Sequence, residues 1–457
     1  MRVPLSWLGE FVELPKNATP HSVMAELVKV GLEEEGAIGG GVTGPVVVGQ
    51  VLEFTPEKQA NGKTIRWCQV RVAPEGKKAL DGGADVRGIV CGASNFEVGD
   101  KVVVTLPGAE LPGGFSIAAR KTYGHVSDGM IASSRELGLS DDHEGILRLS
   151  TLELDPEIGV DALELLGLAE SAAEVNVTPD RGYCLSIRGI AREYSHATAA
   201  KFTDPASKVE IKTGKGFKLQ LDDKAPIHGQ AGCSRFLALE LTDVDAKAKS
   251  PAWMVNRLRL AGMRSISIAV DVTNYVMLEL GQPLHAYDAD KLVGGISVRR
   301  ASDKESIQTL DGKERSLHTE DLLIVDESGP IGIAGVMGGA RTEVSESTSR
   351  VLLEAATFDA ISIARSARRH KLPSEASKRF ERGVDPNIAD VAISRAADLL
   401  IELAGAKLTG IGAEVGAVAQ RNPIELPLEF ASEYVGVEYS PKTIEQALIQ
   451  IGCSVEI

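Results

Sequence analysis

Val46-Val47-Val48-Gly49-Gln50-Val51, Cys68-Gln69-Val70-Arg71-Val72 and Val102-Val103-Val104 are short runs rich in β-branched residues, bounded by Gly, Pro and Asp. Such side chains suit a pleated, half-buried surface, and the bounding residues end strands. Runs of this kind recur between Pro45 and Ser150. About five strands in some hundred residues predict a small Greek-key barrel of the OB-fold type.

Moving outward, Gly39-Gly40-Gly41 reads as a linker into the barrel. Helices flank it. Thr19-Pro20, Ser250-Pro251 and Ser440-Pro441 each offer a hydroxyl for an N-cap and a proline for the first helical position. The first and last extend into a repeat. Thr19, Pro20, Val23, Leu27 and Gly31 match Ser440, Pro441, Ile444, Leu448 and Gly452, which predicts two small helical domains of one type. Asn176-Val177-Thr178-Pro179-Asp180-Arg181-Gly182 reads as a turn before a helix through Ile190 and Tyr194, and Lys201 to Gly216 as a polar linker. From about Phe217 to Gly405 strands and helices mix without regular alternation, the pattern of an α+β domain. A long helix is expected from Asp385-Pro386 to Gly405, and Ser454-Val455-Glu456-Ile457 reads as the opening of a strand.

The expected organisation is multidomain α+β. A small helical domain (1–40 and 151–200) is split by the inserted barrel (41–150). An α+β domain (213–405) follows, then a second small helical domain (406–457) in which the chain is expected to stop short.

Composition narrows the function classes. The 457 residues are 43% hydrophobic and 25% charged, as in globular proteins. No stretch approaches the ~20 apolar residues of a membrane span. Five scattered cysteines without CxxC spacing argue against a disulfide framework or a cysteine-based zinc site. Those features predict a cytoplasmic protein without a metal site of its own. The net charge of −15 demands local positive patches for any nucleic-acid contact. One candidate is Ala364 to Gly383, where Arg365, Arg368, Arg369, Lys371, Lys378, Arg379 and Arg382 face only Glu375 and Glu381. RNA contact, a solvated helix face and salt bridges between domains all fit that cluster.

The chain lacks GxxxxGK[ST], HExxH and GxSxG. Gly335-Val336-Met337-Gly338-Gly339 fits neither phosphate-loop nor dinucleotide patterns, but it predicts a tight turn with bare backbone. The run Asp271-Val272-Thr273-Asn274-Tyr275-Val276-Met277-Leu278-Glu279-Leu280-Gly281-Gln282-Pro283-Leu284-His285-Ala286-Tyr287-Asp288 is more distinctive. It resembles the β subunit of bacterial phenylalanyl-tRNA synthetases. So do Thr309-Leu310-Asp311-Gly312, the 335–339 turn, Val351-Leu352-Leu353-Glu354-Ala355-Ala356 and the stretch from Ser374 to Pro386, in the family's order. Cys91-Gly92-Ala93, Leu106-Pro107-Gly108-Ala109, Leu111-Pro112-Gly113-Gly114 and His143-Glu144-Gly145-Ile146-Leu147 resemble its tRNA-binding OB module, and Met1 to Leu14 its usual start.

That resemblance implies an (αβ)₂ ligase that joins phenylalanine to tRNA(Phe) with ATP and magnesium, its synthetic site lying in the α subunit. The β subunit would bind tRNA and hydrolyse mischarged Tyr-tRNA(Phe). Partners implied are tRNA(Phe) and the α subunit, with neither DNA nor membrane. Magnesium ligands of the family would fall beyond Ile457, so none is assigned here, and the family's subunit is considerably longer. By motif, Glu354 would accept a hydrogen bond from the tyrosine phenol, helped by a backbone N–H of Gly338 or Gly339. Thr273, Asn274 and His285 would line the region of the ester, where a positioned water is favoured over a covalent intermediate. Arg120 and Lys121 are the implied tRNA contacts. Without the resemblance, His285 reads as structural, Thr273 and Asn274 as cap or turn residues, and Glu354 as a surface or arginine-paired carboxylate. A non-catalytic tRNA-binding scaffold and a free-standing deacylase are the competing functions.

Overall fold

The computed structural model describes residues 1–60, 62–139, 145–152, 154–418 and 422–457. His143 and Glu144 of the barrel motif lie outside the described residues.

The β-rich segment folds into a five-stranded antiparallel sheet. Its spatial order is Met130–Ile131, Lys101–Thr105, Val46–Lys58, Thr64–Arg71 and Val86–Cys91. The sheet curls until its edges approach. Asp128 N–H donates to Gly88 O at 2.8 Å, and Val90 N–H to Ser127 Oγ at 3.0 Å. Its inner face buries Val47, Val51, Cys68, Val70, Ile89, Val102 and Val104. The other face packs Val46, Val48 and Val103 against Leu149, Ala162, Leu166 and Leu168, so packing on this sheet continues past residue 150.

The flanking segments, expected to be helical, hold a sheet as well. Arg2–Pro4, Ser171–Asn176 and Glu33–Gly39 form a three-stranded antiparallel sheet around the 171–176 strand. Helices Pro20–Val28 and Ile187–Thr198 pack with it. Glu33-Glu34-Glu35 hid the second strand, because an edge beside solvent tolerates charge that a strand pattern does not predict. Thr19 caps as expected, accepting from Ser22 N–H in a reciprocal capping box. Ser250 does not. Its hydroxyl donates to Asp271 Oδ2 at 2.6 Å instead, and the helix Ala252–Leu260 starts after Pro251.

Residues 215–416 build two stacked five-stranded sheets. The first runs Lys215–Gly216, Lys407–Gly416, Cys233–Thr242, Val351–Phe358, Leu284–Asp288. The second runs Leu219–Asp222, Ile296–Arg300, Leu322–Asp326, Gly329–Ile333, Met337–Gly338. Alternation sorts the first sheet's side chains. Leu237, Leu239, Leu241, Leu353 and Ala355 meet the helices Ile268–Leu280 and Ala389–Ala404. Phe236, Ala238, Leu352, Ala356 and Phe358 meet the second sheet. The helix-side core is continuous with the N-terminal segments, where Trp7 stacks on Tyr275 with ring centroids 4.4 Å apart.

Three boundaries differ from expectation. The long helix begins at Ala389, because Asp385 instead accepts from Asn387 N–H in a turn. Lys407–Gly416, placed with the last helical unit, is a strand of the first sheet. Ser454–Ile457 is not a strand, since nothing pairs with its backbone among the described residues. The helices Leu428–Val435 and Pro441–Gln450 form as read, with Ser440 accepting from Thr443 N–H. No helix among the described residues is long and apolar enough to cross a membrane.

Candidate active site between the two sheets

Strand Val351–Phe358 carries one carboxylate, Glu354, in an otherwise apolar run. Period-two alternation points it into the space between the sheets. Neighbouring strands place Ala238 and His285 directly across from it. Two residues after His285, Tyr287 faces the same way. These groups open into a cavity of about 210 Å³ whose walls include Leu310, Met337, Gly338, Phe358 and Phe380.

The polar end of this cavity is compact. Tyr287 donates its hydroxyl to Glu354 Oε2 in a short hydrogen bond. Burial pushes the Glu354 carboxyl up to about 7, with the Tyr287 hydrogen bond pulling the other way. Burial and the adjacent carboxylate push the Tyr287 phenol well above its ordinary range. His285 exposes part of its surface to the cavity, yet its ring is enclosed enough that burial lowers it to about 4. At neutral pH it is an uncharged imidazole. Its ring meets Tyr287 edge-on at 4.4 Å, and its buried Nε2 has no hydrogen-bond partner. Gly338 makes room for that ring, because a Cβ there would fall 2.5 Å from His285 Cε1. The turn feeding Gly338 needs Gly335, whose φ is +64°.

The structure brings together His285, Glu354 and Gly338 but not the other expected members. Gly339 N–H is held by Ile331 O at 2.8 Å, so the second sheet takes the donor expected to face a ligand. Thr273 and Asn274 sit on the helix Ile268–Leu280, across the first sheet from the cavity, and neither lines it. Thr273 Oγ1 donates to Val270 O at 2.8 Å within its own helix. Tyr287 was missed as a site residue. Its signal was present, because residues i and i+2 of a strand share a face and His285 was already singled out.

Arg120 and Lys121 are exposed on the hairpin Arg120–Thr122/His125–Ser127. The Arg120 guanidinium lies 5.5 Å from the Phe115 ring centroid, and Phe115 is itself exposed. The basic stretch 364–383 is largely spent on structure. Arg365 and Arg369 pair with Glu320, Arg369 also with Asp321, Arg379 is buried against Leu185 O and Glu375, and Arg382 donates to Val177 O. Of the readings open for that stretch, pairing within the protein explains most of these arginines. Arg368 and Lys371 remain at the surface.

Residues 232–405, which contain the whole cavity end just described, match the B3/4 domain family. The full chain is 62% identical over 462 residues to the phenylalanine–tRNA ligase beta subunit of Leifsonia xyli subsp. xyli, covering 100% of this chain and 54% of that one. Along its whole length the chain is similar to phenylalanine–tRNA ligase beta subunits. The beta subunits of Streptomyces avermitilis (50% over 460 residues; 100% of this chain, 54% of that one) and Bifidobacterium longum (48% over 476 residues; 99% and 55%) are similar along the same span. The chain spans about half the length of the curated relatives it matches. Among solved structures, an N-terminal fragment of the phenylalanyl-tRNA synthetase beta subunit from Pyrococcus horikoshii is similar at 14% identity with a TM-score of 0.30, covering 63% of this chain and 79% of that one.

Proposed function

We propose that this beta-subunit chain binds tRNA(Phe) and hydrolyses mischarged Tyr-tRNA(Phe) in the cavity between its two sheets. In the complete (αβ)₂ ligase, ATP-dependent synthesis would take place on the α subunit, in the cytoplasm. The observation that carries the reading is a single carboxylate, Glu354, at the end of a cavity with apolar walls. Tyrosine differs from phenylalanine by one hydroxyl. An apolar pocket rejects such an isostere by only about 10²-fold, whereas a site built to hydrogen-bond the hydroxyl discriminates by roughly 10⁴–10⁵. Ionised Glu354 is an acceptor for that phenol, and without the phenol its acceptor stays unpaired.

Neutral His285, with Nε2 unpartnered beside Gly338, can accept a proton or orient a water near the ester. Among the described residues lining the cavity no nucleophile–base pair stands within hydrogen-bond reach, which favours a positioned water over a covalent intermediate. ATP and magnesium belong to the complete enzyme in this reading. The described residues contain no group of three His, Cys, Asp or Glu suited to a metal ion, and no step here depends on one. Arg120 and Lys121 on their exposed hairpin, with Phe115, provide basic and aromatic groups for an RNA strand.

The test is release of tyrosine from preformed Tyr-tRNA(Phe) beside Phe-tRNA(Phe). Tyrosine-selective hydrolysis that His285→Ala loses supports the reading, while equal hydrolysis of both esters contradicts it.

A further inference from the structure

We propose that Tyr287 is a positioning residue for this site: its hydroxyl holds Glu354 Oε2, which aims Oε1 at the substrate phenol, while its ring edge sets the orientation of His285. The inference rests on the editing reading above and names the group that tunes it. Three observations carry it. Tyr287 and His285 share one strand face, and their rings meet edge-on at 4.4 Å. Among the described residues Tyr287 alone donates to the Glu354 side chain, and it does so at Oε2. Both side chains reach the same cavity.

The physical need follows from the surroundings of Glu354. His285 and Tyr287 face it from one neighbouring strand and Cys233 lies near it on the other, its thiol pushed up by burial and by Glu354. The second sheet and the helix Glu375–Phe380 present Met337, Gly338, Ala376 and Phe380 to the cavity, none of them charged. Among the described residues no cation therefore holds the carboxylate ionised, and a neutral phenol takes that part. A lysine or arginine there would stabilise the carboxylate more strongly but would compete with the substrate for its second oxygen. A neutral donor occupies one oxygen and leaves the other.

Tyr287→Phe keeps the ring and removes the hydroxyl, and two measurements separate the possible failures. The first is direct titration of Glu354 by ¹³C-carboxyl NMR on the intact chain, wild type against Tyr287→Phe. Loss of a hydrogen bond to the ionised form should move the midpoint up by about one pH unit or more. An unchanged midpoint overturns the inference, whatever the activity. The second is the ratio of Tyr-tRNA(Phe) to Phe-tRNA(Phe) hydrolysis against pH. Expected is a ratio that falls as pH drops through about 7 in the wild type, the pH where Glu354 protonates. Its fall should shift to higher pH in Tyr287→Phe and recover in alkali. A loss equal at every pH marks a merely structural role and overturns the proposal. A wild type without tyrosine selectivity, together with a shifted NMR midpoint, sinks the editing reading but leaves Tyr287 in control of Glu354.

Discussion

The two faces of the first sheet each bury a carboxylate, and they solve the problem differently. On the helix side, Glu279 of the helix Ile268–Leu280 is 3.1 Å from Arg395 Nε of the helix Ala389–Ala404. Burial pushes Glu279 up, and Arg395 draws it back. On the cavity side, Glu354 has burial against it and only a neutral phenol for it. Glu279 ties two helices together with its charge answered by Arg395. Glu354 has its charge unanswered beside an open space, which is a poor arrangement for stability and a useful one for chemistry. Perturbed ionisation alone does not separate the two, since both carboxyls shift upward. The partner's charge and the adjoining cavity do.

The largest expected effect breaks the structural member. Arg395→Met leaves Glu279 buried without its cation and should destabilise the chain by about 3 kcal/mol in denaturant unfolding, with the hydrolysis ratio per folded molecule unchanged. A loss of selectivity larger than the loss of folded protein would contradict the division between faces.

The chemical member should behave in the opposite sense. A carboxyl raised to about 7 from an unfolded value near 4.3 binds its proton more tightly in the folded state. Its contribution to stability is present below the unfolded value and is lost as pH rises through 7. Glu354→Gln, whose amide oxygen still accepts from Tyr287, should therefore stabilise the chain by about 3 kcal/mol at pH 8 and by almost nothing at pH 4. Tyrosine selectivity should fall at the same time. Melting temperatures at the two pH values check the sign.

Gly338→Ala tests the cavity itself. Its Cβ would crowd His285, so an overpacking penalty of about 1–3 kcal/mol is expected along with loss of tyrosine clearance. Unaltered clearance would mean that the ring next to Gly338 is not part of the site. The smallest effect is predicted for Thr273→Ser, which keeps the hydroxyl bonded to Val270 O. Stability should change by about 1 kcal/mol or less, with clearance intact. A drop in clearance with normal folding would move Thr273 back into the reaction.

Much of this was legible beforehand because it is local. The hydroxyls of Thr19 and Ser440 cap helices since an N-cap is satisfied by donors two or three residues away. The valine-rich runs became strands of a curled sheet since β-branched side chains already favour that surface. Glu354 and His285 were named from motifs, and alternation along their strands was enough to predict that each has a definite face. Thr273 and Asn274 lie across the sheet from the cavity, since sequence proximity to His285 says nothing about which side of a sheet the intervening turn leaves them on.

By itself the sequence determined the capped helices of Thr19 and Ser440, the β-rich segment and the resemblance to a ligase beta subunit. The tertiary structure alone decided that His285, Tyr287 and Glu354 meet, that Gly339 N–H is consumed by Ile331, and that Arg365, Arg369, Arg379 and Arg382 turn inward to Glu320, Asp321 and backbone carbonyls. It decided as well that one copy of the repeated helix buries Val23, Met24 and Leu27 while the other, Pro441–Gln450, buries nothing among the described residues. The reason is one of range. Caps and periodicity act over a few residues, whereas burial, ionisation and the pairing of strands 69 residues apart depend on what long-range packing places alongside.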